Sequence, residues 1–400
     1  MPEHSSIKRA TFLPFSPPLI GEEEIAEVVD TLRSGWITTG PKTKRFETDF
    51  AAYINAPAAL ALNSGTAALH IALAVLGIGP GDAVVTTPMT FCSTVHVIEQ
   101  VGAQPILVDV EPDTLNISPS KVAEVIKKFQ VPSSKFQVKA ILPVHLYGHP
   151  CDMDAIGEIA QKYELAVLED AAHALPAKYK GRFIGSGNNL TAFSFYATKN
   201  LTTAEGGMLT GAVELLERAR VLSLHGMSRD AWKRYDKGGS WRYEVIAPGF
   251  KYNMTDIQAS LGLWQLKKLD RFQQRRRQVV AAYNQAFGCR EELEIPVERP
   301  GVEHAWHIYA LRLRPETLRI DRDQFINELT AQNIGTSVHF MPIPLHPYYR
   351  DKYGYRPEDF PVAYENYLRL ISLPLNPRLT DQDVNDVIEA VLDIVKQHRR

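Results

Sequence analysis

The sequence predicts an α/β protein with a large domain built on a mainly parallel central sheet and a smaller C-terminal α+β domain. The first observation is that short apolar segments alternate with helical patterns between residues 58 and 170. The second is that these segments are apolar at consecutive positions, which is typical of strands covered by helices on both faces. The third is the length of 400 residues, which favours two domains.

The predicted elements of the large domain follow in chain order. Apolar residues at helical spacing predict helices in EEEIAEVVDTL (22–32) and FETDFAAY (46–53). Strands and helices then alternate: AALAL, SGTAALHIALAVLG, AVVTTP, TVHVIEQVG, PILVDV, SKVAEVIKKF, VKAILPV, MDAIGEIAQKY and LAVLED. The turns after the strands are expected to converge in one crevice, where ligands of parallel sheets bind. These turns are NSGT (63–66), TTPMTF (86–91), EDAAH (169–173) and FYATKN (195–200).

The rest of the chain predicts the smaller domain, and we place the two domains at residues 1–250 and 251–400. A long helix begins after Thr255, a favourable N-cap residue, and runs to residue 287. The basic run within it, residues 275–277, is interpreted as a solvated face. The remaining predicted elements are the strands HAWHIYALRL (304–313) and TSVHF (336–340) and the helices in RDQFINELTAQN (322–333) and LTDQDVNDVIEAVLDIVKQ (379–397). The last of these helices opens like a capping box, with Thr380 as the cap and Asp383 in place of the usual glutamate.

Composition restricts the possible functions. Charged residues make up 22% of the chain and the formal net charge is −2, which provides no basic field for nucleic acid or a membrane surface. The three cysteines lack C-x-x-C spacing, which favours reduced thiols over disulfides or a zinc site. No signal-peptide pattern and no run of about 18 apolar residues is present. We therefore expect a cytoplasmic protein without a metal site.

Two ionisable residues lie at the ends of predicted strands. Lys199 comes after FSFYAT, and Asp170 closes LAVLED. A surface lysine and an aspartate that caps the next helix are the simpler interpretations. A partly buried lysine beside a carboxylate is, however, suited to forming a Schiff base, because burial lowers the pKa of its amine. The carboxylate would then face the protonated pyridine nitrogen of pyridoxal phosphate (PLP).

Other residues at the same turns suit the same ligand. Gly65, in a small-residue turn entering a helix, allows close approach of a phosphate to free N–H groups, although an ordinary helix cap is the alternative. Ser194 would add a hydroxyl, Phe91 a stacking ring, and His173 a partner for a phenolic oxygen. Each also has a structural interpretation, as a buried serine, a core aromatic residue and a hydrogen-bonded histidine.

A series of motifs extends over nearly the whole chain: SGWITTGPKTKRFE, LNSGTAALH, TTPMTFCST, PILVDVEPDTLNI, PVHLYGHPCDMDAI, LEDAAHA, FSFYATKNLTTAEGGML, APGFKYNMTDIQASLG and GTSVHF. In this order they resemble the PLP-dependent sugar aminotransferases of the DegT/DnrJ/StrS family. The resemblance implies an aspartate-aminotransferase-like fold, which is fold type I of the PLP enzymes. The form GFKYN (249–253) resembles the branch that makes 4-amino-4-deoxy-L-arabinose from a UDP-4-keto-pentose for lipid A modification.

The resemblance also implies roles for the residues at matching positions. Lys199 would hold PLP covalently, and Asp170 would pair with its pyridine nitrogen. Phe91 would stack on the ring, and His173 would lie beside the 3-hydroxyl group. The phosphate would be bound by Gly65, Thr66 and Ser194.

A further phosphate contact is implied from a second subunit. Many members read G-[FY]-N-Y-R, and their asparagine reaches the phosphate of the neighbouring subunit. This chain has Lys251 at that position and Asn253 two residues later, so both are candidates. A homodimer with active sites shared at the interface is therefore expected.

The implied reaction transfers the amino group of L-glutamate to the keto-sugar of a nucleotide-diphosphate sugar, with C4 of a UDP-4-keto sugar as the expected acceptor. Trp36 and His339 match positions at the substrate mouth, with packing in a loop and in a strand as their structural alternatives. Residues 227–247 are a candidate nucleotide contact or a surface loop. The alternatives are a PLP-dependent dehydratase and a non-catalytic regulator on the same fold. Relatives that are dehydratases have histidine at the lysine position, so Lys199 favours amino transfer.

Overall fold

The structure, a computed structural model, describes residues 9–129, 135–227 and 243–400. The helices are α1 (Glu22–Ser34), α2 (Pro41–Ile54), α3 (Gly65–Val75), α4 (Ser93–Gln100), α5 (Pro119–Phe129), α6 (Met153–Tyr163), α7 (Val213–Ser223), α8 (Asp256–Phe287), α9 (Arg322–Ala331), α10 (Pro347–Tyr353), α11 (Pro361–Arg369) and α12 (Asp381–His398). Within the described ranges, none of them has the length and apolar composition needed to cross a membrane.

The strands are β1 (Ala59–Leu62), β2 (Asp82–Thr86), β3 (Gln104–Leu107), β4 (Gln137–Ile141), β5 (Ala166–Asp170), β6 (Lys178–Tyr179), β7 (Arg182–Phe183), β8 (Leu190–Ser194), β9 (Gly207–Thr210), β10 (Leu293–Glu294), β11 (Val302–Glu303), β12 (Tyr309–Leu313) and β13 (Leu370–Leu373). Seven of them form the central sheet, in the order β1-β9-β8-β5-β4-β2-β3. Only β9 runs antiparallel to its neighbours within this sheet. The predicted α/β class with a mainly parallel sheet is therefore confirmed.

Helices cover both faces of the sheet, which explains why its strands are apolar at consecutive positions. Val84 of β2 belongs to a buried cluster with residues of α3 and α4. Val85, the next residue, belongs to a different cluster with residues of α5 and α6. Successive side chains of a strand point to opposite faces, so each face has its own core.

The carboxyl ends of the parallel strands meet at one edge of the sheet. Strand β5 ends at Asp170 and pairs in parallel with β8, with Asp170 opposite Ala192. Helix α3 begins at Gly65, shortly after β1 ends. This edge is the crevice that the turns of the sequence predict.

A second layer contains the three-stranded sheet β10-β12-β13. Its buried cluster joins residues of α8, α9 and α12, and Leu13 of the N-terminal arm also packs there. The N-caps Thr255 and Thr380 form capping boxes with Gln258 and Asp383, as their sequence positions predict. The division at residue 250 stays a prediction, because the arm contributes to both layers.

One predicted strand is wrong, and another is too long. The segment 336–340 forms a single bridge, between Ser337 and Ser372, rather than a strand. The segment 304–313 is extended only from Tyr309 onward. Trp306 has a φ of 47°, in the left-handed region, and its ring stacks on His304 with centroids 3.9 Å apart. The chain therefore turns between residues 304 and 308 instead of continuing the strand.

The interpretation of residues 275–277 as a solvated face is wrong for Arg276. Its side chain is only 2% exposed and donates hydrogen bonds to the carbonyl oxygens of Trp306 (3.2 Å), His307 (3.4 Å) and Leu375 (2.7 Å). Burial lowers the pKa of Arg276 to about 9. Arg277 is half exposed and contacts Glu303 instead. The carbonyl groups of Trp306 and His307 lie in a turn and not in a strand, and Arg276 donates the hydrogen bonds that they accept.

Replacing this guanidinium tests its structural role. Arg276→Met keeps much of the volume but removes the donor from three buried carbonyl groups, so we expect a loss of about 3 kcal/mol in unfolding free energy. Arg277→Met, its neighbour in a surface ion pair, should cost about 1 kcal/mol or less. Urea unfolding measures both, and equal small losses would contradict the role given to Arg276.

Candidate active site

A cavity of about 470 Å³ lies at the edge where the ends of β1, β2, β5 and β8 meet. Most of the site residues predicted from the sequence line this cavity, although they come from distant parts of the chain. They are Gly65, Thr66, Phe91, Asp170, His173, Ser194, Lys199 and His339. A cavity of this size accommodates a small cofactor together with the reacting part of a substrate.

Asp170 lies at the base of the cavity as the last residue of β5 and is 4% exposed. Its carboxylate accepts hydrogen bonds from the Thr94 hydroxyl (2.8 Å) and the Ala172 N–H (3.1 Å). Burial raises the pKa of Asp170, while these hydrogen bonds and the charge of Lys199 oppose that rise. A buried carboxylate with these partners is suited to a cationic ring nitrogen.

Lys199 follows β8 in a turn closed by the hydrogen bond from its N–H to the Tyr196 carbonyl oxygen (2.9 Å). The side chain of Lys199 lines the cavity and is only partly exposed. Burial lowers the pKa of Lys199 to about 8, against the attraction of Asp170, which raises it. The neutral, nucleophilic amine is therefore present near neutral pH in a larger fraction than for an ordinary lysine.

Three histidines surround this amine: His173, His307 and His339 all line the cavity. Burial lowers the pKa of each below its usual value, to about 4 for His339, and the charge of Lys199 adds to the effect. The imidazoles are therefore neutral at pH 7. His173 Nδ1 accepts a hydrogen bond from the Tyr147 N–H (3.2 Å), which leaves its proton on Nε2.

The start of α3 forms the other end of the cavity. The Ser64 hydroxyl caps the helix by accepting from the Ala67 N–H (3.0 Å). The N–H groups of Gly65 and Thr66 have no carbonyl partner within the helix. A Cβ atom on Gly65 would lie 2.9 Å from Ser194 Cβ, so only glycine lets the helix start approach β8 this closely. Free N–H groups, a helix N-terminus and a nearby hydroxyl together suit a phosphate group.

An aromatic wall closes the side of the cavity. Phe91 is 57% exposed and is therefore not a core residue. Its ring centroid lies 5.9 Å from that of Phe340. Phe340 in turn stacks on His173, with centroids 5.7 Å apart. Phe91 thus offers a ring face to the cavity for a planar ligand.

Trp36, Lys251 and Asn253 are not among the residues that line this cavity in the described chain. The Trp36 indole donates to the Thr39 carbonyl oxygen (3.1 Å), and the Asn253 amide donates to the Thr39 hydroxyl (2.6 Å). The Lys251 carbonyl oxygen accepts from the Asn63 side chain (3.4 Å). The substrate role of Trp36 and the roles of Lys251 and Asn253 at a second subunit's phosphate site stay predictions. Of the candidate nucleotide contact at 227–247, residues 228–242 lie outside the described residues.

Sequence reasoning missed several residues around the site, among them Thr94, Tyr147, His307 and Phe340. Thr94 is the first-turn residue of α4, and nothing in its local pattern indicates a bond to Asp170. His307 lies in a segment that the sequence predicts as a strand. In the structure this part of the segment is a turn, and no local pattern indicates that the turn places His307 at the cavity. Phe340 directly follows His339, and that adjacency was the one available indication.

Comparisons with known proteins agree with this geometry. The sequence matches the DegT/DnrJ/EryC1/StrS aminotransferase family over residues 18–392. It is 52% identical over 391 residues to the spore coat polysaccharide biosynthesis protein SpsC of Bacillus subtilis (strain 168), covering 97% of this chain and 98% of that protein. It is also 52% identical over 392 residues to an uncharacterized protein of Methanocaldococcus jannaschii, covering 98% and 100% of the two chains.

A solved structure supports the same assignment. The putative sugar aminotransferase Spr1654 of Streptococcus pneumoniae, in its PMP-form, matches with a TM-score of 0.88 at 38% identity, covering 96% of this chain and 99% of that chain. Its PLP-form matches with a TM-score of 0.87. The chain therefore belongs to the PLP-dependent DegT/DnrJ/EryC1/StrS aminotransferase family and has fold type I, like these sugar aminotransferases.

Proposed function

We propose that this protein transfers the amino group of L-glutamate to the keto group of a nucleotide-diphosphate sugar. The observation that carries the proposal is one cavity lined by a lysine with a lowered pKa, a buried carboxylate and the N-terminus of α3. The GFKYN segment supports a UDP-4-keto sugar as the acceptor, with amination at C4. The similarity to SpsC supports a product used in cell-surface polysaccharide, and lipid A modification is the related alternative.

The residues present fit PLP. Because a Cβ atom on Gly65 would collide with Ser194, the helix start and the Ser194 hydroxyl are close enough to bind one phosphate. We propose that Gly65, Thr66 and Ser194 bind that phosphate and that Lys199 bonds to the cofactor's aldehyde carbon. Asp170 would pair with the pyridine nitrogen. When bound, PLP supplies an electron-withdrawing ring that stabilises negative charge at the α-carbon of an amino acid.

The other side chains orient the ring. The Thr94 hydroxyl and the Ala172 N–H keep the Asp170 carboxylate in one orientation, with its charge directed at the ring nitrogen. Phe91 would lie against the ring face. His173 carries its proton on Nε2, so it can donate a hydrogen bond to the phenolic oxygen without adding a positive charge.

Lys199 moves the proton in both halves of the reaction. In the first half its neutral Nζ would accept the proton from the α-carbon of glutamate and later return it as an acid, while one water is consumed, the amino group is retained in the site and 2-oxoglutarate leaves. In the second half the keto-sugar would take up that amino group and release one water, while Nζ moves a proton in the opposite direction. A pKa near 8 suits this exchange, because an amine close to its pKa acts both as a base and as an acid.

A homodimer completes the proposal. Several large apolar side chains near the N-terminus are exposed in the single chain: Phe12, Ile20, Ile25, Leu32 and Ile37. An apolar surface of this kind favours association with a partner. We propose that a second copy covers it and that Lys251 or Asn253 of each copy completes the phosphate site of the other.

The reaction can be tested with ¹⁵N-labelled L-glutamate and a panel of UDP-, dTDP- and GDP-linked 4-keto sugars. We expect mass spectrometry to find ¹⁵N in the sugar product of one UDP-4-keto sugar, together with an equal amount of 2-oxoglutarate. Lys199→Ala should lower this turnover at least 10³-fold, since the proton-moving amine is lost. Lys178→Ala, which removes a lysine outside the cavity, serves as the matched control.

Two results would contradict the proposed reaction. One is a deoxy-keto sugar without nitrogen, which would make the protein a dehydratase. The other is the absence of any product with every sugar while the protein still binds PLP, which would favour a regulatory role.

The phosphate site can be tested separately. Gly65→Ala places a methyl group against Ser194, so the helix start must move away from β8. We expect PLP to bind the cofactor-free protein about 10-fold more weakly or worse, measured by absorbance titration. Gly157→Ala in α6 is the matched control, because a Cβ atom there meets nothing within 4 Å. Unchanged affinity in Gly65→Ala would remove the helix start from the phosphate site.

Subunit complementation tests the shared site. Lys199→Ala and the double variant Lys251→Ala/Asn253→Ala should each be inactive alone. In mixed dimers of the two, one of the two sites regains every residue, so purified mixed dimers should have about half of wild-type activity. Activity is measured with the sugar identified above, after co-expression with two different affinity tags. No recovery in purified mixed dimers would place both residues in their own subunit's site or outside it.

A further inference from the structure

Tyr147 contacts the segments that carry all three histidines of the cavity, although it does not line the cavity itself. Its N–H donates to His173 Nδ1 (3.2 Å). Its carbonyl oxygen accepts from the N–H of His307 (3.0 Å). Its hydroxyl donates a short hydrogen bond to the carbonyl oxygen of His339.

The conformation of Tyr147 also points to a specific role. Its φ is 59°, in the left-handed region that a bulky side chain rarely adopts. The residue is 5% exposed, and burial raises the pKa of its phenol, so the hydroxyl stays a hydrogen-bond donor at every working pH. A strained residue that makes specific contacts beside a reactive cavity is a candidate for a functional role.

The hydroxyl holds the segment that forms one wall of the cavity. The His339 side chain is held by Ser372 (Nδ1 to Oγ, 2.8 Å), and its backbone is held by Tyr147. The next residue, Phe340, stacks on His173 and contacts Phe91. The position of the 339–340 segment therefore decides how completely this side of the cavity is closed.

We propose that Tyr147 is a positioning residue: its hydroxyl fixes residues 339–340 against His173 and thereby keeps water away from Lys199. Its backbone contacts to His173 and His307 do not need the hydroxyl. Removing only the hydroxyl should therefore loosen the 339–340 wall while the other two histidines keep their positions.

The reactivity of Lys199 reports this change. The ionisable groups that act on Lys199 are Asp170, which raises its pKa, and His173, His307 and His339, which are neutral. Burial is the largest cause of the low pKa of Lys199. Water admitted past a loosened wall reduces that burial, so the pKa of the amine should rise toward that of an ordinary lysine.

The test compares Tyr147→Phe with Tyr283→Phe in the full-length chain. Tyr283 is an equally buried phenol whose hydroxyl donates to the Pro374 carbonyl oxygen (2.9 Å), away from the cavity. After removal of PLP, each protein is labelled with trace acetic anhydride at a series of pH values. Peptide mass spectrometry then gives the extent of acetylation at Lys199.

We expect the labelling midpoint of Lys199 near pH 8 in the wild type and in Tyr283→Phe. In Tyr147→Phe it should lie about half a pH unit or more higher. In the PLP-loaded proteins, amide hydrogen exchange over residues 337–341 should be about tenfold faster in Tyr147→Phe only. Neither readout needs a sugar substrate, so the result is independent of the proposed acceptor.

An unchanged midpoint in Tyr147→Phe would overturn the proposal. An equal rise in Tyr283→Phe would also overturn it, because the effect would then be general loosening. If Tyr147→Phe does not fold, Phe340→Leu tests the wall directly by removing the ring that covers His173. An unchanged Lys199 midpoint in that variant would show that residues 339–340 do not exclude water, and the proposal would fail.

Discussion

The active site depends on keeping an amine and a carboxylate out of bulk water in one cavity. Burial alone lowers the pKa of Lys199 and raises that of Asp170, which would leave both groups neutral. Their mutual attraction and the donors Thr94 and Ala172 oppose this effect. The amine thus has a lowered pKa, and the hydrogen bonds to Asp170 favour the charged form of its carboxylate.

The sheet topology makes this placement possible. Parallel pairing of β5 and β8 sets Asp170 opposite Ala192, two residues before the end of β8 and shortly before Lys199. Strand β9 packs on the other side of β8, and a Cβ atom on its Gly207 would lie 2.5 Å from the Ser64 carbonyl oxygen. The start of α3 is therefore held close to the strand that precedes the lysine, so one sheet positions the helix start, Asp170 and Lys199 relative to one another.

Local patterns predicted the features that depend on local physics. The alternating strands and helices, the caps Thr255 and Thr380 and the convergence of strand-end turns needed only neighbouring residues. The burial of Arg276 had no local signal, because its partners are backbone carbonyl groups around residues 306 and 375. The loss of the strand at 304–308 depends on the left-handed Trp306, and periodicity cannot reveal such a backbone conformation.

The cavity is completed by residues far along the chain from the sheet, and this links stability to chemistry. His307 lies in the 304–308 turn, where its carbonyl oxygen accepts a hydrogen bond from Arg276. Its Nδ1 lies 3.1 Å from Oδ1 of Asn200, the residue after Lys199. A buried arginine outside the cavity thus supports an imidazole that touches the lysine turn. Neutral imidazoles suit this position, since a permanent cation beside Lys199 would lower the pKa of the amine further and weaken it as a base. Packing of residues 304–308 and 339–340 onto the sheet edge is therefore part of how the amine acquires its reactivity.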